Sequence, residues 1–153
     1  MNTVSGQERV FNSSKSFSFI PADNWENYSK DNSLIFAKPL YSASENYREN
    51  IQISEYPANG MTLEELWESF VIKDFPIAFE NYEFIQMWDS SVNWKKAKWI
   101  EFKNTANNLT YKNLVYMLAE NDKMYYIICL ATVNGYEQTI NEFRQMIDTF
   151  EIE

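Results

Sequence analysis

The sequence reads LTYKNLVYMLAE over residues 109–120, NDK over 121–123 and MYYIICLATV over 124–133. Two alternating runs joined by a short polar turn predict a β-hairpin. Both runs are apolar on both faces; in the first, one face carries Val115 and Met117 and the other carries Leu114, Tyr116 and Leu118. A strand that is apolar on both sides must be covered on both sides. The hairpin therefore predicts the centre of an antiparallel sheet with helices or loops packed on each face.

Shorter strands are predicted on either side of this hairpin. Residues 16–20, 34–38 and 50–56 precede the first helix, and residues 82–89 and 97–103 follow it. Ile51 and Ile53 alternate with polar neighbours, which indicates a half-buried strand. The whole chain then has the order βββ-α-ββββ-α. This order predicts an α+β fold with an antiparallel β-sheet of about six to seven strands and helices on both faces.

A first helix is predicted over residues 63–75. Thr62 and Glu65 have the spacing of a capping box, and Pro76 is expected to end the helix. The apolar residues of this segment recur at helical spacing. They are Leu63, Leu66, Trp67, Phe70 and Val71.

A second helix is predicted over residues 136–148, starting after the break Asn134-Gly135. Its apolar positions recur at helical spacing. The apolar residues Phe150 and Ile152 beyond it predict a short terminal segment that returns to the sheet. Trp25, like Trp67 in the first helix, is predicted to lie in the core.

Composition excludes several classes of function. The chain has 153 residues, 17% of them aromatic, so one domain with a large core is expected. A net charge of -9 disfavours nucleic-acid binding. The absence of His removes the commonest general base and metal ligand, and only 3 Gly exclude a glycine-rich phosphate loop. The single Cys129 lies in an apolar run and is predicted to be a small buried hydrophobe.

The predicted domain organisation is a polar N-terminal tether over residues 1–16 and a single domain over residues 17–153. Residues 41–49 are predicted to be a polar loop. No run is long and apolar enough for a membrane helix, and no signal peptide is recognisable. Two explanations stay open: a cytoplasmic protein, or an exported protein whose signal has been removed and to which Met1 has been added. The polar start of the chain favours the second.

Several landmarks together resemble the PsbP/DcrB superfamily. They are the strand and turn FSFIPADNW over residues 17–25, NIQI over 50–53, TLEEL over 62–66, YYIIC over 125–129 and FRQMIDTF over 143–150. The resemblance covers nearly the whole chain after residue 16, and it implies an α/β/α sandwich around an antiparallel sheet.

The function that the resemblance implies is limited. Members of the superfamily include photosystem extrinsic subunits, bacterial lipoproteins, a Ran-binding nuclear-import factor and chaperones for secreted toxins. Their shared theme is a non-enzymatic domain that binds another protein, and no catalytic motif belongs to the family. Bacterial relatives of this length are often exported, so the resemblance implies an extracytoplasmic location, periplasmic or secreted.

One local patch combines aromatic and basic residues. Three tryptophans interleave with lysines over residues 88–99, and tryptophan is enriched at the hot spots of protein interfaces. We therefore predict a partner-binding site at Trp88, Trp94, Lys95, Lys96 and Trp99. The alternative is that Trp88 and Trp99 belong to the core and that Trp94 caps a hairpin.

Other arrangements of polar residues are weaker candidates for chemistry. Glu64, Glu65 and Glu68 suit a hard cation, but negative charge at a helix start is also explained by capping and by the helix dipole. Asp89-Ser90-Ser91 with the nearby lysines would make a Ser-Lys hydrolase only if one lysine were buried. Nothing in the spacing of the Asp and Glu residues points to a carboxylate pair of the glycosidase type. We predict no enzyme activity, no metal and no cofactor.

The sequence thus predicts a non-catalytic protein-binding domain of PsbP/DcrB type that is exported from the cytoplasm. A secretion chaperone or an immunity-type protein falls within this class. The alternative is a small-molecule or lipid carrier with an apolar pocket, because an aromatic-rich core leaves room for a cavity between sheet and helix.

Overall fold

The computed structural model describes residues 8–40 and 47–153. Within these residues the chain forms ten strands and three α-helices, with one π-helical segment. The strands are β1 (Val10–Phe11), β2 (Phe17–Phe19), β3 (Glu26–Asn27), β4 (Leu34–Ala37), β5 (Asn50–Pro57), β6 (Glu83–Val92), β7 (Lys95–Ala106), β8 (Leu109–Glu120), β9 (Lys123–Thr132) and β10 (Glu151–Ile152). The helices are α1 (Leu63–Trp67), the π-helical segment Glu68–Asp74, α2 (Phe75–Ala78) and α3 (Val133–Asp148).

Seven strands form one antiparallel sheet in the order β3-β4-β5-β9-β8-β7-β6. The predicted hairpin is β8 and β9, which lie near the centre of this sheet as expected. Its turn is one residue shorter than predicted, because Lys123 already pairs with Glu120. Asn121 and Asp122 adopt φ of 54° and 60°. Asn and Asp tolerate this left-handed conformation, which matches the twist of a two-residue hairpin turn.

The sheet is covered on both sides, which confirms the predicted fold class. On one side, here called the α3 face, Ile51, Leu114 and Ile127 pack against α3. On the other side, here called the α1 face, Val115 and Met117 pack against α1. The two faces therefore bury two separate clusters of apolar side chains. Trp25 and Trp67 are buried as predicted, and so is Cys129.

The terminal segment does not join the large sheet. It forms β10, which pairs with β2, and β2 also pairs with β1 in a separate three-stranded sheet. Residues 8–16 of the predicted tether therefore lie against the domain. Asn12 is buried, and its side-chain oxygen accepts hydrogen bonds from the backbone N–H groups of Ser16 and Phe17, at 2.9 and 3.0 Å. Residues 1–7 of the tether and 41–46 of the predicted loop lie outside the described residues.

The first helix is longer than predicted, because Pro76 does not end it. The capping box of Thr62 and Glu65 is confirmed. The chain then widens into the π-helical segment before α2 begins at Phe75, so residues 63–78 form one composite helix. Pro76 lies in the first turn of α2, the part of an α-helix that tolerates proline best.

The second helix begins three residues earlier than predicted. Thr132 caps α3, and its hydroxyl oxygen accepts a hydrogen bond from the N–H of Gly135 at 3.1 Å. Asn134 and Gly135 therefore lie in the first helical turn. The N–H groups of this turn need a partner outside the helix, and the cap supplies one, so these residues do not break the helix.

Candidate functional site

The predicted partner-binding residues lie on the hairpin of β6 and β7. These strands are longer than predicted, and only Asn93 and Trp94 separate them. Both residues have positive φ, 49° and 69°. A bulky side chain such as that of Trp94 rarely adopts this conformation, so local propensity does not predict a two-residue turn at this position. Trp94 is 96% exposed at the tip of the hairpin.

Two of the tryptophans share one face of the sheet. Trp88 pairs directly with Trp99, and directly paired residues point to the same side. Trp99 is half-buried on the α3 face, where it stacks on Tyr116 with ring centroids 6.2 Å apart, and Trp88 is 60% exposed. Lys95 pairs with the buried Val92 on the same face.

Lys96 lies on the opposite face from these tryptophans. Its ammonium donates a hydrogen bond to Glu64 at the start of α1, while Lys98 binds Asp89 at 2.6 Å. The structure therefore brings Trp88, Trp99 and Lys95 to one face and separates Lys96 from them. The alternative assigned Trp88 to the core, but it is largely exposed.

The lysines of this hairpin have the electrostatics of surface ion pairs. The hydrogen bond from Lys96 lowers the pKa of the Glu64 carboxyl and raises the pKa of the Lys96 ammonium. Lys98 lowers the pKa of Asp89 in the same way. Activation of a serine by lysine needs a lysine pKa that is lowered, so this arrangement does not support Ser-Lys chemistry.

The acidic residues at the start of α1 have structural partners. Glu65 completes the capping box, and Glu64 pairs with Lys96. In residues 8–40 and 47–153 no group of three or more Asp, Glu, Cys or His side chains is arranged to hold a metal ion.

An apolar groove lies on the α1 face between the sheet and the composite helix. Its volume is about 460 Å³, and it is partly open to solvent. The helix contributes Phe70 and Phe75, and the residue after α2 contributes Phe79. The sheet contributes a floor of apolar side chains from the adjacent strands β7, β8 and β9, among them Phe102, Val115 and Ile128.

Few polar groups line this groove. The lining residues that carry a polar side-chain group are Tyr56, Tyr126 and Asn113, and no charged side chain lines the groove among the described residues. The two tyrosine rings pack edge to face with centroids 6.0 Å apart. Burial raises the pKa of the Tyr126 hydroxyl. The described residues that line the groove therefore include no carboxylate, amine, imidazole or thiol.

Asn113 is the unusual residue of this floor. Its side chain is fully buried, and its Nδ2 donates a hydrogen bond to Oδ1 of Asn104 at 2.6 Å. Its own Oδ1 has no hydrogen-bond partner among the described residues. Buried acceptors are nearly always paired in native proteins, so this atom needs an explanation.

Sequence reasoning offered an apolar pocket between sheet and helix as an alternative, but it did not identify the residues that line this groove. Helical spacing assigned Phe70 to the core, but the π-helical segment leaves it at the groove and partly exposed. The apolar residues Tyr126, Ile128 and Leu130 were expected to be covered, but they are only half-buried. One available signal was Asn113, a polar residue at a core-facing position of a strand that is apolar on both faces.

No protein-family model matches the sequence, and no curated protein gives a significant match to it. Solved structures do resemble it. The cyanobacterial PsbP, CyanoP, from Synechocystis sp. PCC 6803 has a TM-score of 0.66 at 11% identity, covering 99% of this chain and 95% of that one. The Ran-binding protein Mog1p of Saccharomyces cerevisiae has a TM-score of 0.64 at 11% identity, covering 98% and 96%. LpqN of Mycobacterium tuberculosis, which is involved in cell envelope biogenesis, has a TM-score of 0.62 at 8% identity, covering 95% and 89%.

These likenesses, at such low identity, are likenesses of fold. The chain has the fold of the PsbP/DcrB-like superfamily, and the resemblance predicted from the sequence is confirmed. Among the described residues no helix is long and apolar enough to cross a membrane.

Proposed function

We propose that this chain is a non-catalytic binding domain that takes a small apolar molecule into the groove between the composite helix and the sheet. The observation that carries the proposal is the groove itself. Its volume of about 460 Å³ lies in the range typical of small-molecule sites, and its walls are formed mainly by phenylalanine and aliphatic side chains. This is the carrier function that the sequence left as the alternative.

The chemistry of the lining supports binding without catalysis. General acid-base catalysis needs a group whose pKa lies near the working pH. Within residues 8–40 and 47–153 the lining has no carboxylate, amine or thiol, and burial raises the pKa of the Tyr126 hydroxyl, away from neutrality. A ligand in this groove would be held and shielded from water.

The proposal is tested by titrating the isotope-labelled protein with para-ethylanisole, a neutral apolar probe, and recording amide shifts by NMR. We expect saturable shifts at groove residues such as Phe102, Val115 and Ile128. The resonances of Phe143 and Met146, which lie on the α3 face, serve as the internal control and should stay in place. Absence of saturable shifts up to the solubility limit of the probe would count against the proposal.

A second candidate function is protein binding through the tip of the β6–β7 hairpin, the function that the sequence favoured. It is supported by Trp94, which is almost completely exposed, and by the large exposed surface of Trp88. Exposing the apolar surface of an indole ring to water is unfavourable. Tryptophan is also enriched among the residues that contribute most to binding at protein interfaces. Secretion-chaperone and immunity-type roles belong to this candidate.

The second candidate is tested by affinity capture from the native organism with the triple variant Trp94→Ala, Lys95→Ala, Lys96→Ala. We expect a partner that the wild type retains and the triple variant loses. Ile77→Ala is the matched control, because it removes another exposed apolar side chain from a different element, α2. Equal retention by all three proteins would exclude the hairpin as the binding surface.

We also propose that the protein works outside the cytoplasm. The similarity of fold to LpqN, a protein of cell envelope biogenesis, supports this location. Fractionation of native cells with an antibody against this chain tests it, and recovery in the cytoplasmic fraction would contradict it.

A further inference from the structure

We infer that the groove selects neutral ligands that carry a hydrogen-bond donor, which Oδ1 of Asn113 accepts; this inference rests on the proposed function. The ligand class is therefore an apolar body with a hydroxyl or an N–H group at one end. An alcohol, a phenol or an uncharged amide has this chemistry.

The position of Asn113 is the first step of the argument. It lies near the middle of β8, and its paired neighbours are Phe102 on β7 and Leu130 on β9. Directly paired residues share a face, so this amide stands in a row of apolar side chains on the floor of the groove. The alternation of residues in β8 predicts an apolar side chain at position 113. The amide of Asn113 is therefore an exception to the pattern of this strand.

The orientation of the amide is the second step. Nδ2 of Asn113 donates to Oδ1 of Asn104, and this bond leaves the Oδ1 of Asn113 as the free end of the group. With the Asn104 amide in the orientation that the structure shows, rotating the Asn113 amide would bring two oxygens together, so in this arrangement Oδ1 of Asn113 is the free end.

The surroundings of the free oxygen are the third step. A buried acceptor without a partner costs free energy, and that cost is recovered when a donor reaches it. A water molecule bound at a buried site typically needs two to four polar partners. The nearest floor positions, Phe102, Val115 and Leu130, offer only apolar side chains. A ligand with a hydrogen-bond donor on an apolar body can donate to this oxygen and at the same time pack against the apolar side chains around it.

The absence of charge in the described lining is the fourth step. A carboxylate ligand would lose its hydration in this groove without gaining a cation, and its oxygens would face the oxygen of Asn113. An ammonium group would likewise be desolvated without a counter-ion. The groove therefore favours a neutral donor over either charged group.

The test compares three probes of similar size on the intact protein. Para-propylphenol and para-ethylanisole are isomers, and only the phenol has an O–H donor; para-propylbenzoate carries a negative charge. We expect the phenol to bind about tenfold more tightly than the ether, the effect of one hydrogen bond to a buried acceptor. The benzoate should bind more weakly than both. Dissociation constants from NMR titration give these ratios.

The variant Asn113→Leu assigns the effect to the amide. In this variant the advantage of the phenol should disappear, while the affinity for the ether should stay within about threefold of the wild-type value, because the apolar walls remain. If that variant does not fold, the double variant Tyr56→Phe, Tyr126→Phe makes the assignment, because it removes the other side-chain hydroxyls of the lining. The advantage of the phenol should persist in this variant, and its loss would overturn the inference.

Two outcomes separate this inference from the proposed function. Equal or tighter binding of the ether by the wild type would overturn the inference and leave the groove as a general apolar site. Binding of none of the three probes would remove the proposed function and the inference with it.

Discussion

Replacing Phe143 with alanine is expected to lower the free energy of unfolding by about 3–5 kcal/mol, the usual cost of deleting a buried aromatic side chain. Phe143 is completely buried between α3 and the sheet, and its ring packs edge to face against Trp25 at a centroid distance of 5.9 Å. The cost is large because α3 is held to the sheet by such apolar contacts. Urea denaturation followed by circular dichroism measures it.

The matched control is Phe84→Ala on the edge strand β6, where the side chain is about half exposed. We expect a loss of less than about 1 kcal/mol for this variant. The slope of unfolding against urea should be the same in both variants, since the surface exposed on unfolding is nearly unchanged. Similar losses of unfolding free energy in the two variants would mean that Phe143 does not pack in a buried core between α3 and the sheet.

Replacing Ile128 with tryptophan is expected to abolish binding of para-ethylanisole while the protein stays folded. Ile128 lies on the floor of the groove and is only half-buried, so an indole ring at this position extends into the open space. The larger side chain then occupies the volume that the probe needs. NMR titration should show no saturable shifts up to the solubility limit of the probe.

Ile140→Trp is the control for this variant, because Ile140 is also a half-buried isoleucine but packs on the α3 face. Its affinity for para-ethylanisole should equal that of the wild type. The unfolding midpoints of both variants show whether either substitution disturbs the fold. Wild-type affinity in Ile128→Trp would place the bound probe somewhere other than the groove.

The elements that local pattern determines were predictable. The β8–β9 hairpin follows from alternating runs and a turn with the right residues, and the start of α1 follows from the capping box of Thr62 and Glu65. Both signals operate within a few residues of chain. The two-sided apolar pattern of residues 114–118 also predicted correctly that helices cover both faces of the sheet.

The elements that depend on distant partners were predicted less well. The terminal strand β10 pairs with β2 in a second sheet, although its sequence is equally compatible with the large one. Pro76 was expected to end the helix, but the π-helical segment before it moves this proline into a first turn. In both cases the outcome is determined by packing between segments far apart in the sequence, which local propensity does not encode.

The sequence by itself determined the fold class, the central hairpin and the absence of histidine chemistry, because composition and periodicity are properties of the chain alone. Only the tertiary structure decided that Trp94 is exposed, that Lys96 lies on the opposite face from Trp88 and Trp99, and that a groove opens above Asn113. Hydrophobic periodicity indicates which face of a strand avoids water. How completely another element covers that face depends on the shape and position of the element, and at the α1 face the composite helix leaves the groove uncovered.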